Sequence, residues 1–472
     1  MLFNSEQYLF FLPLVVAVTW ALRPGWRPAF LLIASYYFYA TWNPPFLALI
    51  VGLTAANYLL GAAQGRRTPR SSMLLIVALA VNLGTLAIFK YAGFFEANVL
   101  RTAQVLGLDP RLPLVQVVLP LGLSFFAFEF IHYQVDLYRG TQPIASVIRF
   151  ALFPAFFPTQ IAGPIKRYED FDSQVASRPR FNAEMFLEGI ELIALGLFKK
   201  VVLADTLLPI AGAAFADPSH LRWIDAWTGL IAFSFQIYLD FSGYTDIGRG
   251  SAQLLGYRVP VNFRAPYLAT SFQDFWRRWH ISLSSWLRDY LYISLGGNRK
   301  GERRTYLNLT ITMALGGLWH GAAWQFVIWG LGHGTALAAE RFARPYLAGR
   351  RLLEGLPSTF AGWALTQLVV LLLWAMFRAS DAGAAITLIS HLVARSGVGR
   401  LSTSQHLEVL LIAGGVLGAQ LLLRRWNPRM LAERSAWGVA VRPAYVFSLG
   451  IAAAVIPVVM ATGSHRFIYF QF

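Results

Sequence analysis

Apolar residues occur in long runs along this chain, and the longest run without a charged residue extends from Thr305 to Ala339, 35 residues. As one straight α-helix this run would be roughly 52 Å long at about 1.5 Å per residue. The hydrocarbon core of a bilayer is only about 30 Å thick. The run must therefore break or turn back, and the glycines of Gly316-Gly317-Leu318-Trp319-His320-Gly321 make that segment the predicted break.

His320 lies near the middle of this run. Irregular backbone at membrane depth persists only where it is buried in protein or lines a wet cavity. A titratable side chain there is a functional-site hypothesis by default, and Gly317, Trp319 and Gly321 would form the wall of a small cavity around it. The alternative is an imidazole that hydrogen-bonds to a neighbouring helix and only holds helices together.

Apolar runs of membrane-spanning length recur along the whole sequence, and about ten to thirteen embedded helices are expected. Hydrophobic residues make up 56% of the chain and charged residues 14%, against about 25% charged in soluble domains. The predicted fold class is an all-α polytopic integral membrane protein. A single membrane domain is predicted over 1–472, with 162–185 and 244–304 as interfacial helices and loops. Candidate spans lie near 7–22, 28–42, 44–60, 72–89, 114–138, 145–161, 186–213, 225–243, 305–339, 360–377, 383–394, 407–423 and 443–462.

The net charge of +16 indicates a membrane orientation rather than a nucleic-acid partner, because the basic residues cluster in short loops between apolar runs. By the positive-inside rule, loops 23–27 and 62–71 face the cytoplasm and residues 42–45 face outward, which places the N-terminus outside the cytoplasm. The absence of cysteine excludes disulfides and thiolate sites. No cluster has metal-ligand spacing, and no phosphate loop or serine-hydrolase elbow is present.

A second group of polar and aromatic residues covers 272–290. On a helical wheel its charged residues share one arc of about 120°, and Trp276, Trp279 and Trp286 lie opposite them. The pattern predicts one continuous, tryptophan-rich amphipathic helix at the membrane interface. His280 falls among the apolar residues, where it either completes a packing network or points into a site.

Two further groups of polar residues lie inside apolar runs. Gln236 and Asp240 end a run that begins near Ala226, and Asp240 needs a cationic partner. An arginine of 277–288 or a protonated histidine is the predicted partner, and a purely structural ion pair is the alternative. Glu129, His132, Tyr133 and Asp136 form a polar stripe at helical spacing that would line a cavity or consist of buried, mutually paired groups.

These motifs together resemble the membrane-bound O-acyltransferase family, and the resemblance covers nearly the whole chain. The segments that carry it are Phe3-Asn4-Ser5, Phe157 to Ile165, Leu239 to Tyr244, Trp276 to Tyr292, Trp319-His320-Gly321 and Phe467 to Phe472. The resemblance implies a ring of tilted, broken helices with two opposed funnels that meet near His320, and it matches a second polar position of the family to His280. Glu129 departs from the glutamine that is usual in the family at that position.

The resemblance also implies a multi-pass protein of the bacterial inner membrane that binds no cofactor. An acyl thioester, acetyl-coenzyme A or an acyl carrier protein, is the expected substrate on the cytoplasmic side. A hydroxyl accepts the acyl group on or towards the other side, with a periplasmic or membrane-anchored partner completing the transfer. O-acetylation of an exported polysaccharide is the first expectation, and D-alanyl transfer to teichoic acid is the second. A channel or transporter and a scaffold for a periplasmic enzyme are the alternatives from other classes.

The residues suggest how such a transfer would proceed. His320, kept neutral by burial, would remove the proton of the attacking hydroxyl. His280 or a tryptophan N–H would hold the carbonyl oxygen, where negative charge develops. Asp240 or Asp289 would orient an imidazole, and cytoplasmic arginines, Arg277 among them, would hold phosphates or an acidic carrier.

Overall fold

The computed structural model describes residues 1–65, 70–108, 117–347, 355–394 and 397–425. These residues form α-helices with short π- and 3₁₀-helical segments, and no β-strand occurs among them. The backbone separates into two compact units. Unit 1 comprises residues 1–189 and 248–260, and unit 2 comprises 190–247 and the described residues from 261 onwards.

Unit 1 has a core of aromatic rings between its first helices. The ring centroids of Phe3 and Tyr8 lie 4.8 Å apart, and those of Phe38 and Phe157 lie 5.7 Å apart. The helices are α1 (Glu6–Ala21), α2 (Arg27–Ala40), α3 (Pro44–Gln64), α4 (Ser71–Leu86), α5 (Ala92–Val105), α6 (Leu123–Arg139), α7 (Val147–Ala155) and α8 (Tyr168–Ser177).

The remaining helices lie wholly or mainly in unit 2, where a pair of helices joined by a short break carries the central histidine. They are α9 (Ala183–Leu197), α10 (Asp205–Ala216), α11 (Trp223–Leu254), α12 (Phe272–Arg278), α13 (Ile281–Trp286), α14 (Glu302–His320), α15 (Trp324–Leu347), α16 (Leu356–Arg378), α17 (Ala382–His391) and α18 (Thr403–Arg425).

Four helical stretches in the described part of the chain are long and apolar enough to cross a bilayer. Large apolar side chains on them are exposed, as expected for surfaces that face lipid; only 17% of the most apolar window of Ser71–Val105 is buried. The stretches are Pro44–Gln64, Ser71–Val105, Pro357–Arg378 and Thr403–Leu422. The total of ten to thirteen embedded helices stays a prediction.

The predicted break in the long uncharged run is confirmed, since α14 ends at His320 and α15 begins at Trp324. The predicted span 225–243 was too short at its C-terminal end, because α11 continues to Leu254. Serine, threonine, aspartate and arginine after residue 243 suggested a loop, but most of these side chains are buried in the helix. The predicted span 443–462 and the closing motif 467–472 lie outside the described residues.

Glycines let α14 and α15 pack with their backbones in close approach. A β-carbon at Gly317 would lie 2.1 Å from the carbonyl oxygen of Phe326, and one at Gly330 would lie 2.2 Å from the carbonyl oxygen of Met313. Both distances are far below van der Waals contact, so neither position tolerates a side chain without moving a helix. This close pairing fixes the position of His320 at the end of α14.

Three of the four side chains in the polar stripe of α6 are buried, and the fourth, Asp136, is partly exposed. Glu129, His132 and Tyr133 are each at most 5% exposed. The carboxylate of Glu129 finds its partner outside the stripe, in the ammonium group of Lys166 at 2.8 Å. This pair satisfies the buried carboxylate, so the predicted pairing within the stripe is wrong for Glu129, whose partner lies outside it.

Candidate active site

His320 is the last residue of α14, and aromatic rings enclose its imidazole. The residue is 7% exposed. Its ring centroid lies 5.0 Å from that of Trp319, 5.2 Å from that of Trp329 and 5.3 Å from that of Phe377. Gly321 follows it, and a β-carbon there would lie 2.1 Å from the Phe326 ring. The histidine is therefore held beside a glycine that could not be replaced by a larger residue unless the Phe326 ring moved.

The prediction of one continuous helix over 272–290 is wrong, because the helix is broken at His280. α12 ends at Arg278 and α13 begins at Ile281. His280 between them has φ +43°, in the left-handed region. That conformation costs of order 1–3 kcal/mol for a residue with a side chain, and it persists only where the surroundings enforce it.

Asn262, in the loop after α11, enforces the break. Its backbone carbonyl accepts the N–H of Ile281 at 3.0 Å. Its side-chain oxygen accepts the N–H of Ser282 at 3.2 Å and the Ser282 hydroxyl at 2.6 Å. The helical wheel assumes that these N–H groups bond within the helix, and it cannot detect an acceptor in another loop.

The ring of His280 is fully buried. It packs edge-on to Phe241, with centroids 4.7 Å apart. Burial lowers the pKa of the His280 imidazole to about 3, because the charged form loses its hydration. At neutral pH the ring is therefore uncharged and carries one N–H and one acceptor nitrogen.

A continuous series of ring contacts connects His280 to His320. Successive centroids lie 4.7–6.0 Å apart along this series. The intervening rings are those of Phe241, Phe263, Trp279, Trp374 and Trp329. The two imidazoles are thus connected through packed aromatic rings, whose apolar surroundings strengthen electrostatic contacts relative to water.

A cavity of about 590 Å³ lies between α12, α13, α14 and α15. Trp276, Thr312 and Met313 line it together with a group of charged side chains. The charged lining residues are Arg277, Arg288, Arg341, Arg344 and Glu340. Three of these four arginines form ion pairs with carboxylates, so any preference of the cavity for an anionic ligand depends mainly on Arg277.

Arg277 differs from the other lining arginines. Arg288 pairs with Asp289 at 2.7 Å, and Arg341 and Arg344 also pair with glutamates. Within the described part of the chain, Arg277 forms no ion pair with a carboxylate, although its neighbour Arg278 pairs with Asp274. Its charge is therefore the most available of the four for a ligand.

The predicted partner of Asp240 was wrong. Its carboxylate pairs with the ammonium group of Lys200 at 2.9 Å, and Lys200 also contacts Asp205 at 2.7 Å. Lys200 lies in a π-helical turn between α9 and α10. An arginine of 277–288 or a histidine was expected because the sequence does not reveal that this turn faces α11.

The structure distributes the predicted site residues over several places. Trp276 and Arg277 line the cavity, whereas Asp289 forms a partly exposed ion pair with Arg288. Gln236 is buried in α11, one turn before Asp240. The residues around the break at His320 are Gly317, Trp319 and Gly321. The catalytic roles of His320 and His280 stay predictions.

Sequence reasoning missed three residues near the candidate site. Trp329 touches His320, and His333 touches Trp329 with centroids 4.8 Å apart. Their spacing of four residues inside the uncharged run was a signal that they share a helix face. Lys200 was also recognisable, as one of two lysines inside the predicted span 186–213.

Sequence comparison identifies the family and the class of enzyme to which this helical membrane protein belongs. The model of the membrane-bound O-acyltransferase family (MBOAT) matches residues 72–373, and the chain belongs to this family. It is an all-α polytopic integral membrane protein and an O-acyltransferase. The resemblance inferred from the motifs is thereby confirmed.

Three relatives show which members of the family this chain is similar to. The probable alginate O-acetylase AlgI of Pseudomonas putida is 44% identical over 388 residues, 81% of this chain and 78% of that protein. The peptidoglycan O-acetyltransferase of Helicobacter pylori is 35% identical over 84% of this chain and 81% of that protein. The teichoic acid D-alanyltransferase of Streptococcus thermophilus is 30% identical over 46% of this chain and 55% of that protein.

Proposed function

We propose that this O-acyltransferase acetylates hydroxyl groups of an exported polysaccharide. The observation that carries the proposal is the buried imidazole of His320, held at the break between α14 and α15 beside Trp329. The names of the two more extensively matched relatives support acetyl as the transferred group. D-alanyl transfer is the second candidate, supported by a shorter match at lower identity.

The donor in this proposal is an acetyl thioester of coenzyme A or of an acyl carrier protein. Both carry a phosphopantetheine arm, which is long and thin and has phosphate at one end. The arginines of the cavity would bind that phosphate or the acidic surface of a carrier, with Arg277 as the first contact. No bound cofactor is needed.

The chemical step needs a base, because a hydroxyl is a poor nucleophile at neutral pH. His320 takes the hydroxyl proton while the hydroxyl oxygen attacks the thioester carbonyl carbon. The carbon–sulfur bond then breaks, and the imidazolium returns the proton to the departing thiolate. The neutral ring of His280, or an indole N–H of the connecting ring series, donates a hydrogen bond to the carbonyl oxygen as charge develops there.

The proposed location is the bacterial inner membrane, with the N-terminus outside the cytoplasm. In unit 1 the N-terminal ammonium group donates to the Thr41 hydroxyl at 2.8 Å. This contact supports placing the N-terminus on the same side as the loop 42–45, which the charge pattern assigns to the outside. A periplasmic or membrane-anchored partner would then receive the acyl group there.

The test is the ester content of exported polymers, measured by mass spectrometry in a deletion strain and in the same strain carrying the wild-type gene. An ester that appears only with the wild type, with the mass of an acetyl group, is the expected result. A D-alanyl ester instead would select the second candidate. Equal ester content in both strains would contradict the proposal.

A further inference from the structure

One face of α15 leads from the cavity to the candidate base. Leu337, Glu340 and Arg344 line the cavity from this helix. Trp329, two turns before Leu337, contacts His320. At about 1.5 Å per residue the distance from Trp329 to Arg344 is roughly 22 Å. His333 occupies the intermediate position on this face, between the cavity and the ring that touches His320.

His333 is completely buried among aromatic rings. Its imidazole lies parallel to the Phe275 ring, with an interplanar angle of 5° and centroids 6.0 Å apart. The indoles of Trp276 and Trp329 meet it edge-on, at 5.0 and 4.8 Å. Because Trp276 also lines the cavity, a single side chain separates His333 from the cavity.

The polar atoms of this cluster have no hydrogen-bond partner among the described residues. They are both ring nitrogens of His333 and the indole nitrogens of Trp276 and Trp329. Proteins satisfy more than about 90% of buried polar groups. A phenylalanine ring would fill the position of His333 without unsatisfied polar atoms, so packing alone does not explain an imidazole here.

The geometry points to a role in donor binding, an inference that rests on the proposed function. We propose that His333 is a binding residue for the pantetheine arm of the acyl donor. As the arm advances from the cavity towards His320, the Trp276 indole rotates aside and a ring nitrogen of His333 hydrogen-bonds to an amide of the arm. A neutral imidazole serves either side of an amide, because it has one donor and one acceptor nitrogen.

The test compares the substitutions His333→Phe and His333→Gln in the detergent-solubilised full-length protein. Affinity is measured for acetyl-coenzyme A and, in a second arm, for an acetylated acyl carrier protein, which identifies the source of the pantetheine. Thermal unfolding is followed in the same samples. The matched control is His220→Phe, since the His220 side chain is 66% exposed and does not line the cavity.

His333→Phe is expected to raise the unfolding temperature and to weaken donor binding by about 3- to 10-fold, the loss of one hydrogen bond. His333→Gln should stay within about 3-fold of the wild type, because its amide also donates and accepts. The control should change neither property. If His333→Phe lowers the unfolding temperature, donor affinity is compared between His333→Gln and His333→Ala, and equal values contradict the inference.

Unchanged affinity in His333→Phe with a raised unfolding temperature would show a packing residue and overturn the inference. The same conclusion follows if the wild type binds neither donor. The polymer ester assay separates this failure from failure of the proposed function. Wild-type cells that make the ester while His333→Phe binds donor normally would leave the function intact and remove only the role of His333.

Discussion

At the scale of single residues, the two candidate catalytic imidazoles are held by different devices. His320 is positioned by a glycine-dependent helix end, since a β-carbon at Gly321 would collide with Phe326. His280 is positioned by Asn262, which captures the amide groups at the start of α13. The glycines next to His320 can be recognised in the local sequence. Asn262 lies eighteen residues before His280, so the sequence around His280 contains no pattern that reveals the break.

The buried cation Lys200 gives a stability prediction. Its side chain is 6% exposed and that of its partner Asp240 is 3% exposed. Lys200→Met should destabilise the protein by about 3–5 kcal/mol, because it leaves a buried carboxylate without its counter-charge. Thermal or denaturant unfolding in detergent measures the change.

The exposed pair of Arg139 and Asp136 supplies the control. Its atoms lie 3.6 Å apart and the arginine side chain is 41% exposed, so Arg139→Met should cost less than about 1 kcal/mol. Equal effects of the two substitutions would mean that Lys200 is not an essential counter-charge.

The titration of His280 gives a pH prediction. Burial lowers its pKa from 6.5 to about 3, so the unfolded chain binds a proton more readily than the folded protein as pH falls below 6.5. Stability is therefore full above that pH and decreases on acidification, by about 1–2 kcal/mol between pH 7 and 5. His280→Asn should show a shallower decline of unfolding free energy over the same range. Parallel pH profiles for wild type and variant would contradict the buried, neutral ring.

At the scale of helices, the pairing of α14 with α15 sets the position of the site. Gly317→Ala places a methyl group 2.1 Å from the Phe326 carbonyl oxygen. It should destabilise the pair by about 1–3 kcal/mol, the usual effect of overpacking, and reduce ester formation because His320 moves. Unfolding and ester content are measured together.

A control glycine lies in α4. Gly84 has no atom within 4 Å of where its β-carbon would be, so Gly84→Ala should stabilise the helix by roughly 0.5–1 kcal/mol. If Gly317→Ala behaves like Gly84→Ala, the close approach of α14 and α15 is not required.

The helices themselves were largely predictable from apolar run length, and the pair α14–α15 was predictable in detail. An apolar run that is too long for one membrane span and has glycines at its centre is most simply accommodated as two helices with a break at the glycines. The break at His280 and the continuation of α11 to Leu254 were not predictable. At His280, hydrogen bonds to Asn262 override the local pattern of apolar residues. In α11, the buried surroundings stabilise polar residues in the helix as far as Leu254.

At the scale of the whole molecule, the orientation in the membrane can be tested cleanly because the chain contains no cysteine. Single cysteines replacing Asn43 and Gly25 would report the outside and the cytoplasmic loops. A membrane-impermeant maleimide applied to intact spheroplasts should label Asn43→Cys and label Gly25→Cys only after permeabilisation. The reverse pattern would invert the orientation that the basic loops predict.

The cavity illustrates what sequence alone could not provide at this scale. Trp276, Met313 and Leu337 come from three different helices, and no spacing rule connects them. Arginines were recognised as candidates for phosphate binding, but which of them shares a cavity with Trp276 depends on the packing. The aromatic rings around His333 likewise come from two helices, α12 and α15, so its proposed role could be inferred only from the structure.

The central claim is that His320 is the base of an acyl transfer, and one measurement tests it most directly. The rate of ester formation on exported polymer is compared between wild type and His320→Ala at equal membrane levels and equal unfolding temperatures, with the exposed His220→Ala as control. Loss of general-base help should lower the rate by about 10²–10⁴-fold for His320→Ala and leave the control unchanged. A His320→Ala protein that forms ester at the wild-type rate would show that this imidazole is structural and contradict the mechanism.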